Sequence, residues 1–281
     1  MRILITGAAG LVGSALATAY AEEKVTALRH GDLDITLADR VRDAVETLRP
    51  DVIFNCSVIG VDACESDPLL AARVNVDGPR TLATAAQSVG ALIVHFSTNY
   101  VFDGARTDTL PYTIDDEARP IQVYGRTKLE GERAVASAAE RAILIRTSWV
   151  FGPGKESFLS SAGARLQRGD RIRAIVDTFA STTYVDDLVA RARELVRLET
   201  YGTYHVVNDG VCSYETFARE CARVTGVSDE DAARLIERVS EADMGRPAPR
   251  PRWTPMRCLL SERLGLAPLR PWEGALAAYL G

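Results

Sequence analysis

Short apolar, β-branched runs recur along the chain at intervals that leave room for one helix between each pair. They are RILIT (2–6), VTAL (25–28), VIFN (52–55), ALIVHFS (91–97) and AILIR (142–146). Between them the apolar positions take helical spacing, which predicts amphipathic helices near 11–22, 38–48, 77–89 and 126–139. Strands that are apolar on both faces, joined by helix-length crossovers, predict a parallel sheet covered on both sides: a doubly wound α/β fold. After Trp149 the pattern loosens. "FGPGKES" reads as a loop, 157–168 and 185–198 as helices, and YHVV (204–207) as a strand that completes the sheet. The prolines of "MGRPAPRPRWTP" cannot continue a helix, and that stretch is expected to wrap the surface.

At 281 residues and 47% apolar, the chain can bury a sizeable core. A formal charge of −5 and a pI near 5.4 leave no basic surplus for a phosphate backbone, which argues against a nucleic-acid partner but not against one bound nucleotide. The five cysteines, Cys56, Cys64, Cys212, Cys221 and Cys258, include no CxxC pair, so neither a disulfide framework nor a zinc site is suggested. His30, His95 and His205 lack ligand-spaced partners, so no metal is expected and each reads as structural or exposed. The paired acids Asp186 and Asp187 read as favourable charge at a helix N-terminus. The chain enters a strand at once, without a signal-peptide pattern or an eighteen-residue apolar run, so a cytoplasmic protein without membrane contact is expected. A homodimer is compatible with the sequence, which does not fix the oligomeric state.

"ITGAAGLVGSAL" places Gly7, Gly10 and Gly13, with Leu11 and Val12 before the last, between the first strand and the first helix. A turn without side chains lets the backbone approach a pyrophosphate, and the helix start offers free N–H groups. Dinucleotide binding follows as an expectation. Arg29 and His30 end the second strand, where an acidic residue would read the ribose hydroxyl of NAD. A guanidinium suits a 2′-phosphate, so NADPH is expected, with NADH as the alternative. Asp34 and Ile35 are placed to meet the adenine, and Cys56, Ser57 and Val58 follow the third strand where the cofactor would cross.

"VHFSTNYVFDG" brings Thr98 to the C-terminal end of the fourth strand, and "VYGRTKLEGER" sets Tyr124 and Lys128 four apart on one helix face. Reducing a ketone leaves a developing alkoxide that needs a proton. Tyr124 is the expected donor, with Lys128 supplying the charge that acidifies the phenol and a hold on the nicotinamide ribose, and Thr98 fixing the geometry.

The GxxGxxG spacing together with Tyr-x-x-x-Lys resembles the extended short-chain dehydrogenase/reductases, a Rossmann-like superfamily. More narrowly, "GAAGLVG", "LDIT", "RPDVIFNCS", "VDACE", "RVNVDGPRTLA", "HFSTNYVFDG", "VYGRTKLEGE" and "RTSWVFG" resemble the dTDP-4-dehydrorhamnose reductases over nearly the whole chain. The resemblance implies NADPH-dependent reduction of a nucleotide-activated 4-keto-6-deoxysugar in dTDP-L-rhamnose biosynthesis. It implies Thr98, Tyr124 and Lys128 as the catalytic set, and Thr98, Asn99 and Trp149 against the sugar. Residues 1–150 would hold the dinucleotide and 151–281 mainly the substrate. Three segments depart from the family pattern: "STNY" has Asn99 for an aspartate, "DTFASTT" (177–183) lacks a glutamine, a glycine and a proline, and "RPRWT" has Trp253 for an asparagine. These departures keep open a reductase of another 4-ketosugar, or a non-catalytic NADP-binding subunit resembling the regulatory subunit of methionine adenosyltransferase. Dehydration is disfavoured, because Asn99 and Tyr100 stand where dehydratases carry an Asp-Glu pair.

Overall fold

The computed structural model describes residues 1–281. Five strands, β1 (Arg2–Thr6), β2 (Lys24–Leu28), β3 (Val52–Asn55), β4 (Leu92–Thr98) and β5 (Ala142–Thr147), lie parallel in one sheet. A sixth, Gly202–His205, pairs with β5 and closes that edge, two residues upstream of the run the sequence suggested. The order is β2-β1-β3-β4-β5 followed by that strand, so the direction of winding reverses between β1 and β3 and opens a crevice above their C-terminal ends.

Helices α1 (Leu11–Ala19), α2 (Ala38–Leu48), α3 (Val61–Ser66), α4 (Pro68–Ala72), α5 (Gly78–Val89) and α6 (Val123–Ala138) make the crossovers. Alternation along the strands sends Ile3, Ile5, Val52, Phe54 and Val94 into one core and Leu4, Ile53 and Ile93 into the other. The second core is sealed by Val41 and Val45 of α2 and Leu82 and Ala86 of α5. The first runs without a break into the C-terminal half, through Leu159, Phe217, Trp272 and Leu276. Residues 151–281 therefore do not form a separate body; their helices Phe158–Gln167, Tyr214–Val224 and Trp272–Leu280 share the core that the sheet builds. No helix is long and apolar enough to cross a membrane.

Three local features depart from the sequence expectation. Helix α6 starts three residues early, because the Gln122 side chain accepts a hydrogen bond from the Gly125 N–H and caps it; this puts Tyr124 in the first turn. Before α5, Arg73–Asp77 forms a π-helical turn. The proline-rich segment does not simply wrap the surface: Ala248 and Pro251 are buried, and Trp253–Thr254 is a strand paired in parallel with Phe179–Ala180.

Candidate active site

The glycine loop sits at the crevice. Gly7 has φ +69°, and a Cβ there would lie 2.6 Å from the Cys56 carbonyl carbon and oxygen, so only glycine lets the loop close on the end of β3. At Gly13 a Cβ would stand 2.5 Å from the Gly7 carbonyl oxygen, which is what lets α1 pack this near the loop. Gly10 caps α1 without any side-chain bond, and the first turn holds no acidic residue, so the amides near Leu11 and Val12 and the positive helix end stay available to an anion. Arg29 and His30 are exposed directly after β2, whose last carbonyl accepts from the Ala8 N–H 3.1 Å away; the Arg29 guanidinium has no partner within the chain. Cys56 and Ser57 are half-buried and Val58 exposed at the end of β3. Asp34 is half-buried and its carboxylate accepts from Thr36 at 2.9 and 2.8 Å. Ile35 corrects the sequence reading: its side chain is buried in the core against Gly78, leaving only its backbone to face an adenine.

Thr98, at the end of β4, is buried, accepts from the Tyr100 N–H at 3.1 Å and donates to Asn99 Oδ1 at 3.2 Å. Tyr124 is half-buried beside it. Burial raises the phenol pKa, and only the nearby Thr98 hydroxyl pulls it the other way. The expected acidifying lysine is turned elsewhere. Lys128 Nζ donates to the Phe96 carbonyl at 2.6 Å and lies 3.3 Å from His95 Nε2, on the inner side of α6. Desolvation brings its own pKa down to about 8. Residues four apart do share a helix face, but that face packs on β4, and the amine follows the sheet rather than the phenol.

Asn99 also differs from expectation. It is 2% exposed and donates to Thr254 Oγ1 at 2.7 Å, so it braces Thr98 against the 253–254 strand rather than offering its amide to a sugar. Trp149 has φ +42°, a left-handed conformation, and its ring packs on Tyr214 with centroids 4.0 Å apart and the planes tilted by 31°. Its buried N–H forms no well-shaped hydrogen bond, with the Tyr100 hydroxyl near it. The sequence reading missed Tyr100, Tyr214, Arg246 and Arg250. Tyr100 packs edge-on against Tyr124 at 6.2 Å, and both arginines stand close enough to Tyr100 and Tyr214 to lower their pKa values against the larger effect of burial. Arg250 is bound by Asp62 of α3 through two 2.7 Å bonds. "VDACE" carries that carboxylate, but nothing local in it signals a partner 188 residues away.

Beneath α6 the sheet is polar. Ser97 of β4 and Arg146 of β5 both bind the buried Glu132, Arg146 Nη2 at 2.7 Å, with His205 Nε2 3.4 Å from Arg146 Nη1. A separate cavity of about 400 Å³ opens between the loop after His205 and the segment 256–269; its buried Arg191, His205 and Asn208 are already hydrogen-bonded within the chain.

A parallel sheet with its switch point under a GxxGxxG turn, and a strand-end threonine next to a Tyr-x-x-x-Lys helix, define an extended short-chain dehydrogenase/reductase. UDP-glucose 4-epimerase of Thermus thermophilus, at 18% identity and a TM-score of 0.82, shares that fold. The family model for the RmlD substrate binding domain matches residues 1–281, and the chain belongs to the dTDP-4-dehydrorhamnose reductase family. It is 40% identical to the dTDP-4-dehydrorhamnose reductase of Mycolicibacterium smegmatis over 98% of this chain and 84% of that one. A probable dTDP-4,6-dihydroxy-2-methyloxan-3-one 4-ketoreductase of Streptomyces antibioticus is 38% identical over 98% of this chain and 93% of its own length. Among solved structures, the Bacillus anthracis dTDP-4-dehydrorhamnose reductase in complex with NADP superposes with a TM-score of 0.90 at 31% identity, covering 99% of this chain and 98% of that chain.

Proposed function

We propose that the chain reduces the 4-keto group of a dTDP-activated 4-keto-6-deoxysugar with NADPH, dTDP-4-dehydro-L-rhamnose being the substrate favoured by its relatives. The observation that carries this reading is the half-buried Tyr124 in the first turn of α6, set close to the strand-end Thr98 and above the crevice framed by Gly7 and Gly13. The side-chain-free cradle and the uncapped start of α1 fit the pyrophosphate, and Arg29 fits a 2′-phosphate. Bound there, NADPH supplies the hydride. Thr98 bonds the substrate carbonyl oxygen and orients it. Tyr124 gives its proton to that oxygen as negative charge develops, which with the hydride converts ketone to alcohol; the single Thr98 hydroxyl proton stays hydrogen-bonded to the substrate oxygen, so the phenolate left behind is steadied by positive charge rather than by Thr98. Lys128 adds a nearby positive charge once it leaves the Phe96 carbonyl for a ribose hydroxyl. Trp149 and Tyr214 offer aromatic faces to the C–H surface of the sugar, while Arg246, paired with Glu241, and Arg250, paired with Asp62, stand near them as donors that a substrate diphosphate would have to share. On this reading residues 1–150 carry the cofactor and 151–281 most of the substrate.

The retained trio and the reductase relatives favour an enzyme over a non-catalytic NADP-binding subunit. The near-equal identity to the Streptomyces antibioticus ketoreductase supports a second substrate of the same class, another dTDP-4-ketosugar. NADPH oxidation is followed against a panel of nucleotide 4-ketosugars, with Tyr124→Phe beside the unaltered chain. Turnover should fall by roughly 10²–10⁴-fold in the variant, with the Kd for NADPH little changed. Full activity of Tyr124→Phe, or no oxidation with any 4-ketosugar, rejects the proposal.

A further inference from the structure

Two hydrogen bonds orient the Asn55 amide. Its Oδ1 accepts from the Ser57 N–H at 3.2 Å and from Thr6 Oγ1 at 2.9 Å. A backbone N–H can only donate, so that end of the amide is the oxygen, and the Nδ2 end is the one 3.0 Å from His95 Nδ1. An amide nitrogen also only donates. His95 Nδ1 is therefore the acceptor, and the proton of the neutral ring sits on Nε2, which faces Lys128 Nζ. An ammonium has no lone pair to meet that N–H, whereas a neutral amine accepts it while still donating to the Phe96 carbonyl. The ring is fully buried, and that burial, the largest cause, holds its pKa well below the usual range, so it does not become imidazolium.

The other titratable groups around Lys128 do not offer the same contact. Glu132, one turn along α6, is committed to Arg146 and Ser97. Cys56 after β3 and Cys64 on α3 are kept as thiols by burial. Gly131 lets the 73–77 turn press on this side of α6: a Cβ there would stand 2.1 Å from the Asn75 carbonyl oxygen.

We infer that His95 is a positioning residue for Lys128: Asn55 locks its imidazole as the Nε2–H tautomer, and that N–H sets both the place and the proton count of the lysine nitrogen. The inference rests on the reading of Lys128 as the partner of Tyr124. Its test does not. ¹⁵N NMR of histidine-labelled full-length protein at pH 9, above the Lys128 pKa of about 8 so that the amine is neutral, with the His95 signals assigned by their loss in His95→Gln, should show Nε2 protonated and Nδ1 bare. A proton on Nδ1, or on both nitrogens, overturns the proposal. Asn55→Asp gives a second arm: its carboxylate can accept from Ser57 and Thr6 and also from a proton on Nδ1, so the ring should switch tautomer and turn a lone pair toward Lys128. The Lys128 ¹⁵Nζ titration should then move up by at least one pH unit. If the same rise appears in Asn55→Asp combined with His95→Leu, charge alone accounts for it and the proposal fails. Turnover of Lys128→Met separately decides whether Lys128 is catalytic.

Discussion

A charged lysine that is 2% exposed costs stability, and the cost has a pH signature. Desolvation is the largest influence on Lys128 and outweighs Glu132, Cys56 and Cys64, which pull the other way; the pKa falls from 10.5 to about 8. That difference, at roughly 1.4 kcal/mol per unit, amounts to about 3 kcal/mol. The unfolded chain binds more protons than the folded one between the two pKa values, so stability rises with pH across that window. The lysine's contribution is fully present above the unfolded value and is lost as pH falls through about 8. Lys128→Met removes the penalty and keeps most of the volume. It also takes a donor from the Phe96 carbonyl, which costs about 1 kcal/mol. The variant should thus be about 2 kcal/mol more stable than the unaltered chain at pH 7 and slightly less stable near pH 10.5, while losing NADPH oxidation. Urea unfolding of both proteins at pH 7, 8, 9 and 10.5 measures this. The change in their difference is the decisive quantity, since the lost hydrogen bond cancels from it. A difference that stays flat with pH would refute the buried-ammonium argument.

Two further substitutions probe the cofactor rim and the ionic row. Arg29→Asp removes the unpaired guanidinium at the end of β2 and adds a carboxylate; the loss of charge-assisted bonds of about 1.5–3 kcal/mol should raise KM for NADPH roughly 10- to 100-fold and leave NADH nearly unchanged. Steady-state comparison of the two cofactors checks it, and an unaltered NADPH preference excludes Arg29 as the phosphate ligand. Glu132→Gln strips Arg146 of its buried counter-charge, and a loss of about 3–5 kcal/mol is expected in chemical unfolding; a loss under about 1 kcal/mol shows that water or His205 compensates.

The sheet was legible because each central strand is apolar on both faces and each crossover is long enough to carry helical periodicity. Helices α3 and α4 were not, for a physical reason: at six and five residues they are too short to show a helical period, α4 relying on its local Asp67 cap and α3 on a tertiary bond in which Glu65 accepts from the Val123 N–H. Tyr124, Lys128 and the glycines were legible because their relations are local, four residues apart or within one turn. The direction of Lys128 was not, since it depends on β4 presenting His95 and the Phe96 carbonyl to α6. Tyr214 and Arg250 reach the site only through the packing of the C-terminal half, and no spacing in the chain encodes that.

The departures from the family pattern take on a different weight once their side chains are placed. Loss of an anionic acceptor at Asn99 suggested an altered sugar site, yet the Asn99 amide is buried between Thr98 and Thr254 and donates where a carboxylate could only accept. Thr254 Oγ1 can take that bond, so the amide and the hydroxyl at the far end of the chain form a neutral, satisfied pair, with no buried charge to compensate. Trp253 likewise serves the protein: its indole N–H donates to the Leu110 carbonyl at 3.0 Å and its ring packs on Phe179 at 5.6 Å. That Phe179 belongs to the altered segment 177–183, so two of the departures meet in one small sheet, where Phe179–Ala180 pairs with Trp253–Thr254, and the third, Asn99, bonds to it through Thr254. They are neighbours in space, in the wall behind Thr98. Such a wall sets how firmly the threonine is held, whereas Trp149 and Tyr214, the aromatic pair near Tyr100, come from other segments. Substrate preference should therefore respond more to Trp149 and Tyr214 than to restoring an aspartate at position 99.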